Sequence, residues 1–298
     1  MQEIGKFSVS LHNLLRANTK QKNELLMKIN IHFILLASFL VLFSTTSCSD
    51  DNDHGFTPTL PANGGEDVKE ITHSSNMQET YNWKFNYQSG RLVYVSSQLI
   101  SSISPINFTA SLSYKSNQVK VVRSDGNNID ITLNPNSLLI STLRMSSFVY
   151  NYNYDDNRRL IRWNCAYIDP ILGVSIKRSY GNINYDENND IRQIQYVEDE
   201  NNADNVVTLN FTPSAKINLN GLLPEGVSEE LGMKGLEYLY YGGLLGKSTY
   251  HLVESIEYQY AKTPDNNHTV TYQYGDNGSN GNIVSCTFGN ACSVQYAY

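Results

Sequence analysis

The chain has 298 residues, of which 40 % are apolar and 17 % charged, and its formal net charge is −7. An acidic balance excludes the polybasic surface that nucleic acid or an anionic lipid face would need. Setting aside residues 1–47, which hold five basic and two acidic residues, takes the net charge from −7 to −10.

Residues 1–26 read as an over-extended N-terminus, with Met27 as the expected start. Residues 27–47 read as a lipoprotein signal peptide. Lys28 supplies a short basic start, and residues 31–43 are apolar apart from His32 and Ser38. That run fits an export-signal core and falls short of the roughly 18 residues of a membrane span. Small residues 44–47 then lead to Cys48, the expected lipid anchor. Thr45 stands where a lipoprotein signal usually carries Leu, Val or Ile, so a plain secretory signal is the alternative. Lipid on Cys48 would make the membrane a partner. Several chains on one cysteine hold firmly where one chain does not.

Residues 48–78 open on Ser49-Asp50-Asp51-Asn52-Asp53 and carry Pro58, Pro61, Gly64 and Gly65. So little apolar surface does not offset the entropy of ordering, and the stretch reads as an acidic flexible tether. Its opening resembles the signal by which Bacteroidetes-type lipoproteins reach the outer face of the outer membrane. The resemblance implies an outer-membrane, lipid-anchored, surface-exposed protein.

Residues 79–298 change character and read as one β domain. Phe148, Tyr150, Tyr152 and Tyr154 share one parity, with Asn151 and Asn153 between them. Val207, Leu209 and Phe211 alternate with Thr208 and Asn210. Ile256, Tyr258 and Tyr260 alternate with Glu257 and Gln259, and Val270, Tyr272 and Tyr274 with Thr271 and Gln273. Period two puts these sets on opposite faces of strands. An aromatic face opposite an amide-rich one marks antiparallel strands with one wetted side. Strands end on Tyr before a polar turn at Tyr87, Tyr114, Tyr154, Tyr185 and Tyr274, and an aliphatic residue opens the next strand. Asp and Asn close such hairpins because they bond locally and tolerate left-handed angles. The expected fold is all-β: a long curved antiparallel meander of hairpins, as a curved sheet or open barrel. Residues 225–243 predict one helix, started by Pro224 and Ser228 and stopped by Gly242-Gly243.

The Tyr-Asp turns resemble the YD-type repeats of bacterial cell-surface proteins. Leu219-Asn220-Gly221-Leu222-Leu223, Gly242-Gly243-Leu244-Leu245-Gly246-Lys247-Ser248 and Ile256-Glu257-Tyr258 together resemble a Bacteroidetes outer-membrane lipoprotein family of unknown function. That resemblance covers about residues 80–298. It implies a porin-like fold, a strongly curved antiparallel sheet with a small helical insert, and it supports fold and location, not function. A pore is not implied, because one parity is amides and carboxylates where an outer-membrane barrel needs a lipid-facing band.

Cys286 and Cys292 flank a hairpin tip at Phe288-Gly289-Asn290. An envelope location permits a disulfide between them, with buried free thiols as the alternative and Cys165 left as a small core residue. Motifs of chemistry are missing. His54, His73, His251 and His268 are scattered without zinc spacing. Asp186, Asn188 and Asp190 open like a calcium loop, but Ile191 and Val197 stand where Gly and Glu belong. The pairs Asp155-Asp156 and Glu229-Glu230 read as solvated turn residues. No cofactor, metal or catalytic residue is expected.

The 21 tyrosines are the remaining signal. Most share parity with aliphatic residues and predict cross-strand ladders, yet exposed rings suit glycan or peptide capture. The expected ligand-binding set is Trp83, Tyr152, Trp163 and Tyr185, on a concave face beside the turns. The role expected is a non-catalytic binding or surface-structural module. The rivals are a secreted hydrolase and a component docking on an outer-membrane protein through a sheet edge.

Overall fold

The structure, a computed structural model, describes residues 64–75, 80–100, 106–276, 281–289 and 292–298. The expected start region, the signal peptide, Cys48 and the first part of the tether lie outside the described residues.

Among the described residues, sixteen antiparallel strands close into one barrel in chain order. They are β1 (Glu70–Ser75), β2 (Thr80–Gln88), β3 (Arg91–Ile100), β4 (Ile106–Lys115), β5 (Gln118–Arg123), β6 (Ile129–Leu133), β7 (Ile140–Met145), β8 (Phe148–Tyr154), β9 (Leu160–Ile168), β10 (Ser175–Tyr185), β11 (Ile191–Val197), β12 (Val206–Ile217), β13 (His251–Tyr260), β14 (His268–Asp276), β15 (Ile283–Phe288) and β16 (Cys292–Ala297). The seam is β1 against β16, from Glu70 opposite Ala297 to Ser75 opposite Cys292. β1 lies inside the predicted tether, which therefore ends earlier than residue 78. Val68 and Ile71 are buried at 2 % and 3 % exposure, and pairing on both sides leaves β1 no exposed edge.

Period-two patterning decides which face is inside. β6 buries Ile129, Ile131 and Leu133 and exposes Asp130 and Thr132. β5 buries Val119 and Val121 and exposes Lys120 and Val122. The outer face is a polar ladder: Thr142 bonds Asn151 at 3.2 Å, Asn151 bonds Asn164 at 3.2 Å, and Gln193 bonds Asn210 at 3.0 Å. A bilayer-spanning barrel has the opposite arrangement, with its apolar band outside.

The interior is filled by the chain itself. Residues 218–250, between β12 and β13, enter at the end where the hairpins β2–β3, β4–β5, β8–β9 and β10–β11 turn, and leave at the same end. Asn218 N–H donates to Tyr250 O at 2.8 Å across that entrance. Leu222, Val227, Leu231, Met233, Leu236, Leu239, Leu244 and Leu245 of this plug join the inward strand residues in one apolar core. The predicted helix shrinks to α1 (Glu237–Tyr241), five residues long. Gly226, Gly232 and Gly235 hold φ of +82°, +68° and +71°, a region closed to a right-handed helix. Gly232 is also required by space, since a Cβ there would meet Trp163 Cδ2 at 2.4 Å.

An irregular segment inside an apolar core must still satisfy its backbone. The inward tyrosines do this from around the ring. Tyr152 donates to Gly232 O at 2.8 Å, Tyr272 to Glu225 O at 2.7 Å, and Tyr87 to Tyr241 O at 3.2 Å. Trp163 Nε1 donates to Glu230 O at 2.8 Å. Each such bond stabilises by about 0.5–1.5 kcal/mol net, and leaving its carbonyl unmet costs more.

Candidate functional site

The plug does not fill the barrel evenly. Between its deep part, residues 223–241, and the wall formed by β1 and β2 lies a cavity of about 470 Å³. Binding cavities for small molecules commonly span about 300–1,000 Å³. This one opens at the end opposite the plug entrance, where Gly226, Lys234 and Gly235 are exposed.

Strand register builds one side. Ile71 pairs with Trp83, so parity turns Ile71 and His73 of β1 and Trp83 and Phe85 of β2 into the lumen. The plug builds the other side with Leu223, Glu225, Glu237, Tyr238 and Tyr241. Trp83 stacks on Tyr238, with centroids 5.9 Å apart and planes at 25°, and Phe85 lies 5.3 Å from Tyr241.

Glu225 is the polar centre. The Tyr272 bond to its carbonyl fixes its backbone, and Gly226 turns the chain away behind it. Its Oε1 accepts from Tyr296 Oη at 3.0 Å, and its Oε2 lies 3.6 Å from His73 Nδ1. Only 13 % of the side chain is accessible. Burial pushes its pKa up to about 7; Tyr296 pulls it down and the Glu237 charge pushes it up again. Burial pushes His73 below its ordinary value, against the pull of Glu237. Near neutrality, then, the pair holds one carboxyl poised to ionise beside a neutral imidazole.

The expected ligand set does not converge. Trp83 lines the cavity. Tyr152 and Trp163, 4 % and 2 % exposed, are sealed beneath the plug that they hold. Tyr185 donates to Leu160 O at 3.2 Å under the Arg159 guanidinium. The physical reason is closure: the concave face of this sheet is the barrel interior, and the chain's own plug occupies it. His73, Phe85, Glu225, Glu237 and Tyr238 were not singled out as site residues. No sequence signal set Glu225 apart, because the insert also carries Glu229, Glu230 and Glu237.

The expected disulfide is absent. Cys286 and Cys292 are free thiols. Cys286 stands opposite Val294 and Cys292 opposite Phe288, so the sulfurs lie two positions apart along the ladder. Burial pushes the Cys286 thiol up to about 12. Cys165 is 7 % exposed, within the core.

A second polar cluster sits at the plug entrance. Asp190, 1 % exposed, accepts from His251 N–H at 2.6 Å and Thr249 Oγ1 at 3.0 Å, with His251 Nδ1 2.7 Å away. Its bonds fasten the plug exit to the β10–β11 turn, which makes it a latch. Among the described residues no three His, Cys, Asp or Glu side chains gather to hold a metal ion.

Residues 85–285 match the model of DUF4595, a domain of unknown function with porin-like fold. The chain belongs to this family. The matched stretch takes in β3 to β14 and the whole plug, with parts of β2 and β15, and leaves β1 and β16 outside it. A porin-like protein from Bacteroides uniformis shares the fold with a TM-score of 0.62 and 18 % identity, over 80 % of this chain and 99 % of that one. A porin-like protein from Bacteroides vulgatus gives a TM-score of 0.53 and 13 % identity, over 78 % of this chain and 99 % of that one. No curated protein matches.

Proposed function

We propose that this family member is a non-catalytic binding module of the cell envelope, holding a small ligand in the cavity beside Trp83. The carrying observation is the cavity itself: about 470 Å³ left open between the plug and the wall of β1 and β2. Aromatic faces around one mostly buried carboxyl and one imidazole are the usual chemistry of a small-molecule pocket. A glycan end or a short peptide segment has the size to enter. Docking through a sheet edge lost its basis when β1 paired with β16 and left no edge in the described ring.

Anchoring by lipid on Cys48 belongs to the same reading. β1 starts at the plug-entrance end, so a tether from Cys48 joins the barrel there. The cavity mouth lies at the other end of the barrel. In fractionated cells Cys48→Ala should move the chain from membranes to the soluble fraction; retention in the membrane would defeat the anchor.

For the ligand role, the full chain in detergent is screened by thermal shift against glycans, peptides and small organic molecules. A true ligand stabilises in proportion to the logarithm of its concentration. It should lose that effect in Ser228→Phe, which fills the cavity from the plug side. Equal stabilisation of both proteins would move the site elsewhere, and turnover of any compound would replace binding with catalysis.

A further inference from the structure

The cavity is not neutral in its demands. Two carboxylates line it, Glu225 and Glu237, and among the described residues no lysine or arginine forms an ion pair with either. Lys234 reaches the mouth but pairs with Glu229, Nζ to Oε2 2.5 Å, with 71 % of its side chain in solvent. Arg123 lies behind Phe108, 4.6 Å above that ring, and is held by Asp125 at 2.6 Å. His73 is the basic group nearest Glu225, 3.6 Å away, and its burial favours the neutral ring. The remaining walls are π faces: Trp83 with Tyr238, and Phe85 with Tyr241. A ring face carries negative charge density and attracts a cation, by about 2 kcal/mol or more where water is excluded.

Resting on the binding role proposed above, we infer that the ligand is a small organic cation, an ammonium group on an apolar or aromatic body. The ammonium sits between Glu225 and Glu237, and the body lies along Trp83 and Phe85. An anionic ligand would bring a third negative charge beside two carboxylates, and a neutral one would leave an ionised Glu225 without a counter-charge in a partly dry site. Like charges held close in such surroundings repel strongly, so the selection is by sign as well as by shape.

Three probes of matched shape separate these cases: phenethylamine, 2-phenylethanol and 3-phenylpropanoate. Each is titrated into the full chain in detergent by calorimetry, with fluorescence as a second readout. Trp83 lines the cavity and Trp163 is sealed, so a fluorescence change reports the site. At about pH 8 the amine should bind at least about tenfold tighter than the alcohol, and the acid weakest of all. The double variant Glu225→Gln, Glu237→Gln should bring the amine down to the affinity of the alcohol while leaving the alcohol unchanged. A retained alcohol affinity shows that the variant is folded. Binding of the acid or alcohol as tight as the amine overturns the cation class and leaves the pocket standing. Absence of amine binding overturns the cation class as well. Loss of all stabilisation in the broader screen, by contrast, overturns the binding role itself.

Discussion

Replacing Glu225 by Gln should make the barrel more stable, and only above a definite pH. In the folded chain the carboxyl titrates at about 7, against an ordinary 4.5. A raised folded pKa contributes stability that is complete below about pH 4.5 and is lost as pH rises through about 7. At roughly 1.36 kcal/mol per pKa unit, the whole loss is about 3 kcal/mol. The groups facing Glu225 are His73 from β1, Tyr296 from β16, Cys286 from β15, Tyr272 and Tyr274 from β14, and Glu237 and Tyr241 from α1. His73 acts with the opposite sign: its depressed pKa contributes stability that is lost as pH falls below its ordinary 6.5. Both proteins keep His73, so their difference isolates Glu225. Gln keeps an oxygen to accept from Tyr296. Urea unfolding of wild type and Glu225→Gln should coincide at about pH 4 and diverge to about 3 kcal/mol, in favour of the variant, by about pH 8. A gap that is flat across this range, or that favours wild type at high pH, would refute the reasoning.

The plug and its latch give further tests. Gly232→Ala adds left-handed strain to a collision with Trp163 and should cost at least about 3 kcal/mol by urea unfolding; a cost under about 1 kcal/mol would mean the plug does not rest on that ring. Asp190→Ala strips the acceptor from His251 N–H and Thr249 and should cost about 3–5 kcal/mol. Asp190→Asn keeps an oxygen in place and should cost about 1 kcal/mol; equal losses in the two variants would count against a latch.

What was legible in the sequence was local. Alternation at Tyr150, Tyr152 and Tyr154 reappears as the inward face of β8, because side-chain period is a property of single strands, while Phe148 at the strand's start is exposed. The turn at Asp155 was readable because the carboxylate bonds its own loop, accepting from Arg159 N–H at 2.9 Å. What was hidden is long-range. β1 carries one buried aliphatic, Ile71, and only pairing with two distant strands makes it structural. The tyrosines looked like ladder residues, and Tyr150 does stack on Tyr152. Their hydroxyls bond plug carbonyls up to 154 residues away in the chain, a relation that no period records. Glu225 and His73 are 3.6 Å apart in space and on different elements, so neither announced the other. The pairing of Cys286 with Cys292 failed on register, which a hairpin tip does not fix by itself.

Fourteen neighbouring strand pairs are hairpins and one, β12 with β13, is bridged by the plug, but the six-residue pairing of β1 with β16 has no covalent link. That makes it the hinge line of the ring. Whenever it parts, two strands present unpaired N–H and C=O groups, and a second opened molecule can supply the missing partner. The site straddles this line, with His73 on one bank, Tyr296 on the other and Glu225 reaching both. An occupant held there would act as a clasp, slowing strand exchange and amide exchange at Ile71 and Val294 before it altered anything elsewhere in the wall.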